Sequence, residues 1–407
     1  MKRIFDVRLK SEKDPKSGFP LGLPATPYEL LDALEKVRVK PGAPVHWKID
    51  RYCVPYLNYE ILEEEGSLYE LNALAQKLSE LDHPQQLAYR GLLSTECAKG
   101  GRSAPISRLI DFAHSTHCCQ VFPELRSDYQ LGRYYAEKRI LPGTREVSDE
   151  QLEMIDYALA GKRQREAEGG VFVSMGCSET VGYVRQTAPI EKTRLDLTLQ
   201  KPEYSILLAV YGKWDQNAGK RKGAVLELPL EEDVLNAILV EYDGIGSSED
   251  VWNRIAWSGL DCAVPMLTKM IFDYGSENYY SESAARLLND LAKDLAAMKP
   301  EDKTAYKALL EAMRCRSLGD AFRLLNTLND YRLTPGIGSL TEIAGEKLIK
   351  AESLIPYVDM KGFGMGLLEE SGGELTSYGL LTRVDGLPVA KFKEQPKAHG
   401  WRMSMTL

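Results

Sequence analysis

Three groups of residues in this 407-residue chain have types and spacings that could do chemistry. The first is His114-Ser115-Thr116-His117-Cys118-Cys119. On a helix His114 and Cys118 fall four apart on one face, a spacing that suits two metal ligands. A structural zinc site needs four donors, and Cys97 is the only near residue to extend the set, so a packed helix without metal is the better reading. The second is Gly362-Phe363-Gly364-Met365-Gly366, which lacks the G-x-G-x-x-G spacing of a nucleotide loop and is read as a tight backbone turn. The third is carboxylates: Glu63-Glu64-Glu65, Glu231-Glu232-Asp233 and Glu369-Glu370, with Glu277, Glu282 and Asp156. Some of these open helical runs, where negative charge complements the helix dipole. There are five histidines, and G-x-S-x-G, H-E-x-x-H and Gly-Lys-Ser/Thr are all absent. Asp6, Asp50 and Asp111 form no metal set. No constellation meets the roles that catalysis requires, so no enzyme, no metal and no cofactor is expected.

The spacing of the glycines is more informative. From Asp156, Gly recurs at +5, +13, +14 and +20; from Asp359 it recurs at the same four positions. Such a recurrence marks an internal repeat, and a period of 203 residues is that of a whole folding unit. Other landmarks keep the order. Leu71-Asn72-Ala73-Leu74-Ala75 is answered by Leu288-Asn289-Asp290-Leu291-Ala292, Leu23-Pro24 by Leu228-Pro229, and Val54-Pro55 by Val264-Pro265. The chain is therefore read as a tandem of two units, 1–198 and 199–407.

Each unit has a regular plan. Arg3 to Leu9 alternates as a strand does, and Thr26-Pro27-Tyr28-Glu29 starts a helix over about 27–37. Val45 to Ile49 alternates again. Ser67 and Glu70 form a capping box before an apolar helical stripe. Pro84 opens a second helix, and further helices reach about 138, as in a small bundle. After Pro142-Gly143 the pattern predicts an acidic helix ending at Asp156-Tyr157, then a glycine block with a short sheet at Val181–Val184. The first unit is thus α+β over about 1–60, helical over 61–140 and a glycine-block module over 141–198. In the second, the same parts are expected at about 199–275, 276–350 and 351–407, with Tyr204–Tyr211 as the opening strand and Lys391–Leu407 as a basic tail or last strand. Tyr134-Tyr135 and Tyr279-Tyr280 suit either an interface or packing between small modules.

Composition narrows the class. Apolar residues make up 44% of the chain, ample for several cores, and no apolar run is long enough to span a membrane. The start, Met1-Lys2-Arg3-Ile4-Phe5-Asp6, has no apolar leader core, and seven scattered cysteines fit a reducing compartment, so a cytoplasmic protein is expected. Net charge is −8, of which −2 falls in residues 1–200. That balance favours basic partners and argues against direct DNA binding. Lys162, Arg163 and Arg165, and Lys220, Arg221 and Lys222, are basic runs of the kind that usually coats a solvated loop.

The two units resemble ArdA-type antirestriction proteins of mobile genetic elements. The resemblance rests on Leu71-Asn72-Ala73-Leu74-Ala75, Leu131-Gly132-Arg133-Tyr134-Tyr135, Ile155-Asp156-Tyr157 and Glu168-Gly169-Gly170-Val171-Phe172 in the first unit. In the second it rests on Ile355-Pro356-Tyr357-Val358-Asp359 and Leu367-Leu368-Glu369-Glu370-Ser371-Gly372-Gly373. There the Gly-Arg-Tyr-Tyr element is lost, reading Ile343-Ala344-Gly345-Glu346. The resemblance implies an elongated, non-catalytic DNA mimic that fills the DNA groove of a type I restriction–modification enzyme. Carboxylates spaced like phosphates would meet the lysines and arginines of that groove. Glu63, Glu64, Glu65, Asp156, Glu231, Glu232, Asp233, Glu277, Glu282, Glu369 and Glu370 are the candidates for such contacts. The family pairs through its third part, so this tandem is expected to be a monomeric pseudo-dimer. Alternatives are an anti-CRISPR protein that acts on an effector's nucleic-acid channel and a DNA-binding accessory protein of a mobile element.

Overall fold

The computed structural model describes residues 2–10, 18–55, 57, 67–98, 104–146, 148–174, 180–195, 201–215, 220–242, 256–277 and 282–389. It is mixed α+β, with four antiparallel three-stranded sheets among the described residues. The chain divides into two compact units: Met1–Thr26 with Val39–Leu199, and Pro27–Arg38 with Gln200–Leu407.

In the first unit β1 (Phe5–Lys10) lies between β2 (Gly18–Leu23) and β3 (His46–Tyr52). Phe5, Val7 and Leu9 are buried, while Asp6, Arg8 and Lys10 alternate to the other face. Helix α1 (Pro27–Lys36) follows β2 in sequence but belongs to the second unit. Helix α2 (Leu68–Glu80) begins with the expected capping box of Ser67 and Glu70. Its buried Asn72 accepts from the Ala25 N–H at 2.8 Å and donates to the Ala25 carbonyl at 3.1 Å. Helices α3 (His83–Ala98) and α4 (Ile106–His114) complete the bundle. Next come β4 (Cys119–Phe122), α5 (Asp128–Glu137), the single turn α6 (Asp149–Leu152), α7 (Tyr157–Glu168), β5 (Val171–Ser174) and β6 (Thr180–Gln186). The last sheet runs β4-β6-β5, and Leu87 of α3 packs on its Val173 and Val184.

The second unit has a similar order of elements, with one further helix, over Pro265–Glu277, that has no counterpart among the described residues of the first. Strands β7 (Ile206–Asp215), β8 (Lys220–Leu228) and β9 (Ala256–Cys262) form the sheet β8-β7-β9, with α8 (Glu232–Tyr242) between β8 and β9. After α9 (Pro265–Glu277) come α10 (Glu282–Ala297), α11 (Pro300–Ala312) and α12 (Leu318–Asn326). Asn289 of α10 does for Leu230 what Asn72 does for Ala25, at 2.8 and 2.9 Å. The unit closes with β10 (Tyr331–Pro335), α13 (Leu340–Leu348), a 3₁₀ stretch over Ile349–Tyr357, α14 (Met360–Ser371), β11 (Glu374–Thr376) and β12 (Gly379–Arg383), in the sheet order β10-β12-β11.

Two expectations are corrected. Asp156 does not end a helix; it caps the start of α7, accepting from the Leu159 N–H at 3.0 Å. Gly362 to Gly366 is no turn but lies inside α14, with Asp359 capping it through the Gly362 N–H at 3.1 Å. The physical reason is helix crossing. A Cβ on Gly161 would overlap the Asp128 carbonyl of α5, and one on Gly364 would overlap the Leu340 carbonyl of α13. Tight packing therefore offsets the roughly 1 kcal/mol helix penalty of each glycine. Gly169 and Gly372, by contrast, end their helices in the left-handed region, at φ 63° and 59°. The stretch Lys391–Leu407 lies outside the described residues.

Candidate functional site

The acidic positions fall into five sets. Glu63, Glu64 and Glu65 lie outside the described residues. Glu277 and Glu282 are the last residue of α9 and the first of α10. Glu231, Glu232 and Asp233 are exposed at the start of α8, where their charge suits the dipole, and Glu232 pairs with Arg286 at 2.7 Å. Asp156 is exposed, with one carboxylate oxygen committed to its cap. Glu369 and Glu370 differ from the helix-start carboxylates, and like Glu277 they stand at a helix C-terminus. Both are exposed in the last turn of α14, which holds no basic residue. Carboxylates there oppose the helix dipole, so local helix electrostatics does not account for them.

The Leu-Gly-Arg-Tyr-Tyr element takes on a structural meaning. Gly132 seats α5 against α7, because a Cβ there would overlap the Tyr157 carbonyl. Arg133 stays on the surface with Glu137, and Tyr134 stands edge-on to Phe122. The Tyr135 hydroxyl donates to Glu168 at 2.9 Å, and Tyr183 donates to the same oxygen at 3.0 Å. Arg185 and Gln164 donate to the other oxygen at 2.5 and 2.7 Å. Burial first, and then the Glu168 carboxylate, push both phenols well above their ordinary range. Glu168 closes α7, so its negative charge meets the wrong end of a dipole, and Arg185 compensates it. The hub itself was missed in the sequence, where Tyr134-Tyr135 suited either an interface or packing between small modules; Tyr134 packs on Phe122 and Tyr135 joins the hub. Arg165, counted there in a basic run, forks onto Asp128 at 2.8 and 3.1 Å. Lys162 and Arg163 are exposed on α7. Tyr279-Tyr280 lies outside the described residues, and the side chains of Lys220, Arg221 and Lys222 are not described.

A second charged hub lies in the second unit. Asp32 of α1 is buried against Lys307 at 2.9 Å, Lys36 at 3.0 Å and the Tyr378 hydroxyl at 2.8 Å. Glu35 meets Lys307 at 2.7 Å and also accepts from Thr304. Burial favours a protonated Asp32, but Lys307 and Lys36 outweigh it and hold the carboxyl below its usual range. Burial likewise opposes the Lys307 charge, and Asp32 and Glu35 outweigh it and raise that pKa.

The histidine–cysteine group does not assemble as expected. Helix α4 ends at His114, and Cys118 closes the following 3₁₀ turn, so the two share no helix face. The Cys118 thiol donates to the Pro189 carbonyl at 3.3 Å and lies 3.5 Å from His117 Nε2. Burial, then Lys77, lowers the His114 pKa, and burial pushes the Cys119 thiol up to about 12. Cys97 is exposed. Among the described residues no three of His, Cys, Asp and Glu gather in a metal-binding group, and no helix is long and apolar enough to cross a membrane. No family model and no curated protein sequence matches this chain.

Proposed function

We propose that this chain is a cytoplasmic, non-enzymatic inhibitor of a type I restriction–modification complex, built from two ArdA-like units and acting as a DNA mimic in the enzyme's groove. The observation that carries the reading is the exposed Glu369-Glu370 pair, which local helix electrostatics leaves without a role. Support comes from the order of elements common to the two units and from the motifs that resemble the ArdA type. The Asn72 and Asn289 devices give the Leu-Asn element of those motifs a common structural purpose. Carboxylates on helix ends sit on rigid backbone, as an array that must match phosphate spacing requires.

The test is a DNA-cleavage assay with a purified type I complex. Inhibition should be relieved by excess competitor DNA and weakened by salt, because ion-pair contacts are screened. Joint Glu231→Gln, Glu232→Gln, Asp233→Asn, Glu369→Gln and Glu370→Gln should weaken inhibition tenfold or more. Undiminished inhibition by that variant would sink the mimicry reading. Light scattering should give the mass of one chain, because both units are covalently present.

A further inference from the structure

The outward faces of the two opening sheets differ in chemistry. In β8-β7-β9 the outward positions are mixed: Leu207, Ala209 and Tyr211 on β7, Val225 and Glu227 on β8, and Ser258 and Asp261 on β9. In β2-β1-β3 the same positions are charged. Arg8 stands beside Lys48, Lys10 beside His46 and Asp6 beside Arg51, all opposite the buried row of Phe5, Val7 and Leu9. At the positions matching Arg8, Lys10 and Lys48 the second sheet has Ala209, Tyr211 and Ser258, so such a sheet can be built without those three cations. Five cations, Arg3, Arg8, Lys10, Lys48 and Arg51, share the face with two carboxylates, Asp6 and Asp50, in a chain whose net charge is −8.

The geometry of the cations adds to their number. Arg8 contacts Asp50 through Nε at 2.9 Å, and Arg3 contacts Asp6 through Nε. Among the described residues the Nη groups of these two arginines make no other hydrogen bond, which leaves the forked end of each guanidinium for an oxyanion. Room for both comes from β2. Its outward Gly18 lies under the Arg8 stem and Gly22 under the Arg3 guanidinium, where a Cβ would collide with either. No described carboxylate pairs with Lys10 or Lys48. Same-face residues on a strand are about 7 Å apart and neighbouring strands about 4.8 Å, so the cations form a flat strip.

We propose that the outward face of β2-β1-β3 is a sequence-independent binding surface for the phosphodiester backbone of nucleic acid. Apart from the exposed Pro20 of β2, the strip's outward strand positions hold no apolar side chain. The core of a protein–protein interface needs buried apolar or aromatic anchors. Backbone binding needs cations that displace condensed counterions, and the strip has those. The net acidity of the chain averages over this face and hides it. The inference does not depend on the inhibitor reading and stands or falls by a separate measurement.

The experiment is fluorescence anisotropy of the full chain with a labelled random-sequence oligonucleotide, single-stranded and duplex, across a salt series from about 50 to 200 mM. Binding should strengthen at low salt. Joint Arg8→Gln, Lys10→Gln and Lys48→Gln should weaken it at least tenfold and lower the slope of log affinity against log salt by about 2 to 3. Lys162→Gln with Arg163→Gln on α7 should leave the slope unchanged. Circular dichroism melts establish that both variants fold. Absence of binding at low salt, an unchanged slope in the triple variant, or capture of polyglutamate with no capture of either oligonucleotide would each overturn the proposal.

Discussion

Each unit sets a carboxylate against cations and tyrosine hydroxyls, but the two hubs sit at different places in the order of elements. In the first unit Glu168, at the end of α7, gathers Tyr135 from α5 and Tyr183 and Arg185 from β6. The matching positions of the second unit are Ser371, Lys347, Leu380 and Thr382, and the hub is gone. The Asp128–Arg165 fork is likewise replaced by Leu340 and Leu368. Charge reappears around Tyr378, in the turn between β11 and β12, where Asp32, Lys36 and Lys307 converge. The difference teaches that the last sheet of each unit is anchored by a buried polar cluster, not by one fixed set of residues. In the first unit the Gly-Arg-Tyr-Tyr element, absent from the second, seats α5 on α7 through Gly132 and supplies the Glu168 hub through Tyr135.

Burial decides which anchor matters more. The Lys307 and Asp32 side chains are 9% and 8% exposed, against 27% and 15% for Arg185 and Glu168. Lys307→Met should therefore cost up to about 3–5 kcal/mol, because Asp32 and Glu35 lose the buried cation they share and Asp32 keeps only Lys36. Arg185→Met should cost about 1–3 kcal/mol, since water still reaches that pair. Two units need not unfold together, so hydrogen exchange resolved along the chain is the right measurement. Equal losses in both variants would break the comparison. The pH dependence has a definite sign. Asp32 is held below its unfolded pKa, so its contribution is complete above the usual carboxylate range and is lost as pH falls through the folded value. Lys307 is raised, so its contribution is complete below the usual lysine range and is lost as pH rises through the folded value. Exchange protection near Tyr378 should fall at both extremes in the native chain, and Asp32→Asn should flatten the acid side.

The helix crossings sharpen the comparison at a smaller scale. Gly161→Ala and Gly364→Ala each place a methyl into a facing backbone carbonyl, which cannot step aside as a side chain can. The overlap should outweigh the gain in helix propensity and destabilise each module by about 1–3 kcal/mol. Gly366, two residues further along α14, faces open space, so Gly366→Ala should stabilise by up to about 1 kcal/mol. Position 344 already carries a methyl where the first unit has Gly132, and Ala344 is fully buried. Thermal melts of the three variants check the ordering, and a stable Gly364→Ala variant would show that the crossing can loosen.

Much of this was legible in the residues. The capping box at Ser67, the alternation of β1 and the order of elements follow from local rules that need no tertiary context. The glycine frame was visible, but its meaning was not, because a glycine that faces open space and one that touches a neighbouring helix look the same in a sequence. Gly364 and Gly366 are that case. Glu168 was hidden for a related reason. Its partners lie 33, 15 and 17 residues away in sequence, and only the pairing of β6 with β4 and β5 brings them together. The placement of α1 in the second unit was equally invisible, since a helix's own pattern specifies that it packs, not what it packs against. At the candidate site the carboxylates were visible as types, but which of them oppose their helix depended on where α14 ends.

The smallest expected effect bears most directly on function. Glu369 and Glu370 occupy the last turn of α14, where the unsatisfied carbonyls already carry partial negative charge. Neutralising them, by Glu369→Gln with Glu370→Gln, should stabilise the helix by about 0.3–1 kcal/mol, and the gain should shrink in high salt because both side chains are exposed. At the start of α8 the same chemistry should act in reverse. Glu231→Gln, Glu232→Gln and Asp233→Asn together should destabilise by a similar amount, since those carboxylates complement their dipole and Glu232 also loses Arg286. Opposite stability changes paired with the same loss of inhibition would separate the two roles of charge. A variant that becomes more stable while inhibiting less indicates a carboxylate kept for its partner and not for its helix. If the α14 variant gains stability and inhibits as well as the native chain, the pair has no part in binding, and the mimicry reading loses the observation that carries it.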